Sequence, residues 1–176
     1  MEGEPRLKIA ITGPESSGKS VLSEFLADNF DARLVKEYAR SYYDKHEYTN
    51  SQEEIITIAE GQIRAEREAA KGDASLIICD SDLVNIKIWL EYYGYSTPKF
   101  ILDYLASKPY DFCLLLYPNT PWVADPLRRN PNDRVALYTQ FQRELQRLKY
   151  SFETVDELGE LRFQQAVQFI NEKFKL

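Results

Sequence analysis

The octapeptide GPESSGKS, from Gly13 to Ser20, has the residue types and the spacing of a phosphate-binding loop. Its two glycines let the backbone bend, so that successive N–H groups point at phosphate oxygens. Lys19 is then placed to reach the β- and γ-phosphates of a nucleoside triphosphate, and the Ser20 hydroxyl is placed to ligate Mg²⁺. The octapeptide therefore predicts a triphosphate site with a bound Mg²⁺.

The segments on either side of the octapeptide support this interpretation. Leu7–Thr12 is a short apolar run that predicts a buried strand, and Lys19–Asn29 has apolar residues at helical spacing. A phosphate-binding loop lies between a strand and a helix, so the alternative of a glycine-rich turn with an incidental lysine is remote. The predicted nucleotide-binding residues of the loop are Gly13, Glu15, Ser16, Ser17, Gly18, Lys19 and Ser20.

A carboxylate that follows a second apolar run is the candidate partner for the metal ion. Asp80 comes directly after the sequence LIIC, and a strand-ending aspartate beside a phosphate-binding loop is the usual Walker-B ligand. We therefore assign Asp80, with Ser20, to the metal site. Taken alone, such an aspartate is often a helix cap or a turn residue. Asp82 could itself cap a helix that starts at Leu83, and that alternative stays open.

Glu37 and Arg40 follow the second predicted strand, which should end at the same rim of the sheet as the phosphate-binding loop. A carboxylate at this rim could accept the proton of an acceptor hydroxyl or orient it. The two residues are three apart, so they share a helix face if a helix begins there. The alternative is an ordinary solvated ion pair at a helix start.

Residues 119–134 are rich in proline and contain a cluster of arginines. The cluster consists of Arg128, Arg129 and Arg134. The segment follows the fourth predicted strand, which suits a mobile lid that neutralises charge on a transferred phosphoryl group. Arg128 and Arg134 are favoured over Arg129 for that role. The alternative is a surface loop with no part in the chemistry.

Composition sets the class of protein. The 176 residues are 44% hydrophobic, which predicts one compact domain over residues 1–176. A net charge of −6 argues against a nucleic-acid partner. No apolar run is long enough to cross a membrane, and the acidic start of the chain does not resemble a signal peptide. Oligomeric state is left open.

Two cysteines, Cys79 and Cys113, lie in apolar runs that we interpret as neighbouring buried strands. Without CxxC spacing they indicate core thiols in a reducing cytoplasm rather than a disulfide or a zinc site. The apolar strands alternate with helices, which predicts a three-layer α/β fold of the P-loop NTPase class with a mainly parallel, roughly five-stranded sheet covered on both faces. The predicted strands are Leu7–Thr12, Ala32–Lys36, Ser75–Cys79, Asp111–Tyr117 and Ser151–Val155.

Other classes of P-loop protein fit the sequence less well. A regulatory GTPase would need DxxG after the Asp80 strand and an NKxD motif, and neither is present. A large motor or AAA-type machine would need a longer chain with sensor arginines on a further domain. A small-molecule kinase needs only a phosphate-binding loop, an acceptor-side carboxylate and a basic lid, so the pattern favours a kinase.

Taken together, these motifs resemble the ribosylnicotinamide kinase domain of NadR-type proteins over roughly Leu7 to Val155. The phosphate-binding loop with its Glu-Ser-Ser interior and the EYAR tetrad are the most specific parts. The segments that carry the resemblance are Gly13–Ser20 (GPESSGKS), Glu37–Arg40 (EYAR), Asp80–Asp82 (DSD), Ile88–Gly94 (IWLEYYG), Tyr110–Asp111 and Pro121–Asp125 (PWVAD).

The resemblance implies transfer of phosphate from ATP–Mg²⁺ to the 5′-hydroxyl of nicotinamide riboside, giving nicotinamide mononucleotide for NAD synthesis. By position, it implies that Gly13–Ser20 bind the ATP phosphates and that Asp80 and Asp82 serve the metal and the acceptor. Together with the loop and lid motifs above, we assign catalytic roles to Lys19, Glu37, Asp80 and Arg128, and a nucleotide contact to Arg134. The implied riboside-side residues are Glu37, Tyr38, Arg40, Asp82, Trp89 and Trp122. Either tryptophan could stack on the pyridine ring, and a core position is the alternative for Trp89.

The sequence also departs from the family. Pro126 stands where a glycine is expected before the lid arginine, and its fixed φ restricts lid motion. Only one histidine, His46, is present, so adenylyl transfer, which relies on histidine-bearing motifs, is expected to come from another protein. Two further hypotheses remain: a kinase of another nucleoside or nucleotide, and a non-catalytic ATP-binding regulatory module.

Overall fold

A computed structural model describes residues 6–125 and 131–175 of the chain. Its five strands form one sheet in the order β2-β3-β1-β4-β5, and every neighbouring pair of strands is parallel. The fold class predicted from the sequence is therefore confirmed. The strands are β1 (Leu7–Thr12), β2 (Arg33–Val35), β3 (Leu76–Asp80), β4 (Phe112–Leu116) and β5 (Phe152–Val155).

Helices cover both faces of the sheet. One face packs against the first and last helices, and the other packs against the helices between them. The helices are α1 (Lys19–Asn29), α2 (Tyr38–Tyr43), α3 (Gln52–Ala69), α4 (Leu83–Tyr92), α5 (Lys99–Ala106), α6 (Arg134–Arg147) and α7 (Gly159–Phe174).

The central strands are apolar on both faces because each face has its own core. In β1, Ala10 faces the α2–α6 side, whereas Ile9 and Ile11 face α1 and α7. The same alternation of period two runs through β3 and β4, which are wholly buried, whereas β1 is buried from Ile9 onward. Such runs predict a strand but not the partner it pairs with.

That limit explains one wrong prediction. Cys79 lies on β3 and Cys113 on β4, and β1 lies between them, so the two cysteines are not on neighbouring strands. Both are free and buried, and burial raises the pKa of each thiol well above its usual value. They behave as core residues with poor thiolate character, as expected.

The start of α3 is determined by local capping groups. The Ser51 hydroxyl accepts the Glu54 N–H at the start of α3, and the Glu54 carboxylate accepts the Asn50 N–H at 2.7 Å. Strand β1 and helix α1 have the predicted bounds, and the ends of the other strands differ from the predicted ends by at most one residue. Strand β2 is the shortest and has only Val35 buried. No helix in the described part of the chain is both long and apolar enough to cross a membrane.

A glycine in the middle of α3 lets α2 pack closely on it. A Cβ atom added at Gly61 would overlap the ring of Tyr38, the first residue of α2. An added Cβ at Gly72, beyond the end of α3, would meet only Ala69 O at 3.5 Å, an ordinary contact. The two glycines therefore make a matched pair for testing this packing.

We expect Gly61→Ala to lower the free energy of unfolding by about 1–3 kcal/mol, because overpacking displaces the Tyr38 ring. Alanine is the better helix former by roughly 1 kcal/mol, so a loss of stability would show that sterics outweigh propensity. Gly72→Ala should be near neutral. Urea unfolding of the two variants and the parent measures this, and equal stability of all three would contradict the packing described.

Candidate active site

The phosphate-binding loop connects β1 to α1 through two glycines with positive φ. Gly13 has φ +134°, and a Cβ there would lie 2.8 Å from the backbone oxygen of Leu116 on β4. Gly18 has φ +85° and precedes the first residue of α1. A side chain at either position would strain the backbone, and at Gly13 it would also push the loop off the sheet. Glycine is thus required by local geometry, independently of any ligand.

Lys19 lies along the inside of this loop. Its ammonium donates hydrogen bonds to the backbone oxygens of Gly13 (2.9 Å) and Pro14 (2.8 Å). Burial lowers the pKa of Lys19, although surrounding carboxylates oppose the shift. These carboxylates, in order of effect, are Glu37, Asp80, Glu15 and Asp82. The ammonium is therefore close to the groups that the sequence assigned to the acceptor and to the metal.

Asp80 is the last residue of β3 and lies beside the loop because of strand register. It pairs with Ile11, one residue before the end of β1. Burial, and then the charge of Glu37, raises the pKa of Asp80 to about 6, while the Ser20 hydroxyl beside it opposes the rise. Its Oδ1 is buried and has no hydrogen-bond partner among the described residues. An unsatisfied carboxylate oxygen next to a hydroxyl fits a hard divalent cation such as Mg²⁺.

Glu37 and Arg40 lie across the cleft from the phosphate-binding loop. Arg40 Nε lies 3.3 Å from Glu37 Oε2, and its Nη1 lies 2.6 Å from Asp125 Oδ2. The Glu37 side chain is 18% exposed, whereas that of Arg40 is 42% exposed. The ion pair is therefore not the fully solvated one of the alternative hypothesis. The second contact of Arg40, with Asp125, joins α2 to the predicted lid.

Asp82 is the N-cap of α4, which settles the question left open from sequence. Its Oδ1 accepts the Asn85 N–H at 2.8 Å and the Thr12 hydroxyl at 3.1 Å. Burial raises the pKa of this carboxyl to about 7. Its Oδ2 has no hydrogen-bond partner in the described part of the chain. The residue before it, Ser81, is held at φ +71°, which turns the chain sharply between β3 and α4.

Trp89 is half-buried and lines the cleft together with Glu37 and Arg40. A smaller pocket continues from it between α3 and α4, and Trp89, Glu37 and Asp82 all line it. One aromatic side chain therefore lines the same cleft and the same inner pocket as Glu37. Its neighbours Ile55 and Ile58 from α3 make the inner wall apolar.

Two other residues assigned to the riboside side lie elsewhere. Tyr38 packs its ring against Gly61, and its N–H donates to Gln62 Oε1 at 2.9 Å. Trp122 is half-buried beside Arg134, whose guanidinium carbon lies 5.7 Å from the ring centroid. Neither side chain lines the cleft that holds Glu37 and Trp89.

The start of the lid is attached directly to the phosphate-binding loop at Ser16. The Ser16 hydroxyl accepts the Val123 N–H at 3.0 Å, and the Ser16 carbonyl accepts the Thr120 hydroxyl at 2.6 Å and Arg134 Nη1 at 3.2 Å. Ser16 has φ +53°, in the left-handed region that non-glycine residues seldom adopt. Arg134 therefore lies at the loop, whereas Arg128, with Pro126 and Arg129, falls outside the described residues.

Sequence reasoning missed two polar residues of the site. Asn85 lines the cleft and the pocket beyond it, and its side-chain amide donates to the Ser81 hydroxyl at 2.6 Å. A signal for Asn85 was present, because it lies three residues after Asp82 and four before Trp89, on one face of α4. Ser81 carried no such signal, since its positive φ is visible only in the folded chain.

Comparison with known proteins agrees with this geometry. The family described as "AAA domain" matches residues 8–161. The trifunctional NAD biosynthesis/regulator protein NadR of Escherichia coli (strain K12) is 33% identical over 124 residues, which are 68% of this chain and 30% of that protein. The chain thus spans about a third of the length of the curated relatives that it matches.

Two solved structures share the fold over 97% of this chain, each with a TM-score of 0.76. One is NadR protein in complex with NR, at 21% identity and covering 52% of that chain. The other is NadR protein in complex with NAD and AMP-PNP, at 19% identity and covering 50% of that chain. The length of the chain argued against a large AAA-type machine. The family match concerns a single domain, residues 8–161, and not such a machine. Because it spans well over half of the sequence, the chain belongs to the AAA domain family of P-loop proteins.

Proposed function

We propose that this chain is an ATP-dependent kinase that phosphorylates the 5′-hydroxyl of nicotinamide riboside. The observation that carries the proposal is that Lys19, Glu37 and Trp89 all line one cleft. A phosphate-holding cation, an acceptor-side base and a flat apolar surface are what transfer to a pyridine riboside requires. The NadR relatives and the structure of NadR with NR support this choice of acceptor.

The residues of the phosphate-binding loop would hold the triphosphate by main-chain N–H groups and the Lys19 ammonium. Four carboxylates surround Lys19, and their charges oppose the lowering of its pKa by burial. As negative charge develops on the transferred phosphoryl group, this ammonium stabilises it without reorganising. The role requires Lys19 to exchange its present carbonyl partners for phosphate oxygens, which are stronger acceptors because they are charged.

Glu37 would accept the proton of the 5′-hydroxyl or orient that hydroxyl for attack on the γ-phosphorus. Arg40 holds the carboxylate from one side at 3.3 Å, which limits its rotation. Trp89 would stack on the pyridinium ring, where the cationic ring gains attraction to the indole face. Asp82 and Asn85 line the same inner pocket and would bind the ribose hydroxyls.

Ser20 and Asp80 are the residues that would hold Mg²⁺, in agreement with the unpartnered Oδ1 of Asp80. When bound, the ion would neutralise charge on the β- and γ-phosphates. Arg134, anchored to Ser16, would support the phosphate-binding loop from the lid side. Arg128 is proposed to reach the transferred group from the lid. The reducing cytoplasmic setting, the single domain over residues 1–176 and the absence of nucleic-acid and membrane partners stay predictions.

The acceptor can be tested directly. Purified chain incubated with ATP and Mg²⁺ should convert nicotinamide riboside to its 5′-monophosphate in preference to cytidine, uridine or adenosine, because only the first carries a cationic ring for Trp89. Mass spectrometry of the products measures this. Product from another nucleoside and none from nicotinamide riboside would refute the substrate. ATP binding by calorimetry without turnover on any acceptor would instead indicate a regulatory module.

Glu37→Gln tests the acceptor-side carboxylate. We expect kcat to fall by about 100-fold or more, because the amide cannot take the proton. The dissociation constant for ATP should change by less than about twofold, since the loop is untouched. Glu68→Gln is the matched control, because Glu68 is 71% exposed and pairs only with Lys71 in the described residues. Near-parental turnover in Glu37→Gln would remove Glu37 from the mechanism.

Asp80→Asn tests the metal site. The Mg²⁺ concentration that gives half-maximal turnover should rise at least about tenfold, because even supporting contacts of a bound metal ion contribute factors of roughly 10–100 to its affinity. Asp73→Asn, in the exposed turn before β3, provides the control. An unchanged Mg²⁺ requirement in Asp80→Asn would show that this carboxylate does not bind the ion.

A further inference from the structure

A carboxylate that the proposed chemistry does not use is completely buried near the end of α3. Glu66 has no exposed surface. Its Oε1 accepts hydrogen bonds from the Tyr110 hydroxyl at 2.9 Å and the Gln62 amide at 3.3 Å. Its Oε2 accepts from the Tyr104 hydroxyl at 2.6 Å and from the Lys8 ammonium at 3.4 Å. Four donors therefore converge on one charge.

Two of the residues that donate to Glu66 also accept hydrogen bonds from backbone N–H groups at the edge of the cleft. The Tyr110 hydroxyl accepts the Leu83 N–H at 3.1 Å, and Gln62 Oε1 accepts the Tyr38 N–H at 2.9 Å. Tyr110 and Gln62 each form a relay, which is a chain of two hydrogen bonds from a backbone N–H to Glu66. Because the carboxylate can only accept, it determines which group donates at each step. A hydroxyl that donates to the carboxylate keeps its lone pairs for Leu83, and an amide whose NH₂ faces the carboxylate turns its oxygen to Tyr38.

The two backbone groups belong to the first residues of α2 and α4. Tyr38 directly follows Glu37, and Leu83 directly follows the Asp80–Asp82 turn. Glu37, the N-cap of α2, makes no side-chain cap hydrogen bond, so Gln62 serves the first N–H of that helix. One buried charge is thus linked to the backbone beside both of the acidic segments of the site.

We propose that Glu66 is a positioning residue that holds Glu37 and the Asp80–Asp82 turn at a fixed separation through Gln62 and Tyr110. The proposal rests on the proposed kinase function. Burying a charge is costly, and replacement of such charges by apolar residues is often neutral or stabilising, so stability gives little reason to keep one. A fixed separation between the acceptor base and the metal-side carboxylate does give a reason, because misplacement by about 1 Å can cost about 100-fold in rate.

Tyr110 and Tyr104 make a matched pair for the experiment. Each loses one hydroxyl donor to Glu66 on change to phenylalanine, but only Tyr110 continues to the site. We expect Tyr110→Phe to lower kcat about tenfold or more, with the dissociation constant for ATP within about twofold of the parent. Tyr104→Phe should leave kcat near the parental value. A general loss of stability would not lower kcat in Tyr110→Phe alone. Thermal unfolding of both variants would show whether they are equally stable.

Glu66→Gln keeps the shape of the side chain but replaces one acceptor oxygen with an NH₂ group, which only donates. Because the Lys8 ammonium donates to Oε2, the NH₂ group should take the position of Oε1, which accepts from both Tyr110 and Gln62. The variant should therefore disturb both relays and lower kcat with ATP affinity retained. Amide hydrogen exchange provides a readout that does not need turnover. Exchange at Leu83 should accelerate in Tyr110→Phe, and exchange at Leu83 and Tyr38 in Glu66→Gln, whereas Tyr104→Phe should change neither.

The outcomes separate the two proposals. A parent chain that phosphorylates no nucleoside would refute the proposed function, while the exchange pattern would still decide whether Glu66 sets the two helix starts. Equal loss of kcat in Tyr104→Phe and Tyr110→Phe would overturn the positioning role. Unchanged exchange at Leu83 in Tyr110→Phe would overturn it as well.

Discussion

The register of β1 against its two neighbours is the constraint on which the site depends. Ile11 pairs with Asp80 on one side, and Thr12 pairs with Leu115 on the other. Gly13 then leaves the sheet so close to β4 that a Cβ would meet the Leu116 carbonyl. A shift of one residue in this register would turn every side chain of β1 to the opposite core and would move the phosphate-binding loop away from Asp80.

The charge of Lys19 is balanced by nearby carboxylates rather than by a direct ion pair. Lys19 is bonded to backbone carbonyls, and its charge is stabilised by carboxylates that it does not touch. Asp80 and Asp82 both have raised pKa values because burial disfavours their charged forms. In our proposal, a bound triphosphate would supply negative charge next to Lys19, and a bound divalent cation would supply positive charge next to Asp80.

Much of the architecture was predictable because its signals are local. Apolar runs and the GPESSGKS spacing each depend on neighbouring residues, and they correctly predicted the strands and a loop between β1 and α1. Helical spacing was less reliable for α1, where Leu22 and Leu26 are buried but Val21 is 62% exposed and lines the cleft. Helical spacing shows where apolar residues recur. It does not distinguish a helix face that packs on the sheet from one that borders a site.

The sequence by itself determined that a phosphate-binding loop lies between a strand and a helix, because the glycines, Lys19 and Ser20 act within eight consecutive residues. Only the tertiary structure decided what faces that loop. The cap role of Asp82, the placement of Trp122 on Arg134 and the burial of Glu66 under Tyr110 all depend on contacts between residues far apart in the chain. Such contacts follow from strand order and helix packing, and no local pattern of residues encodes them.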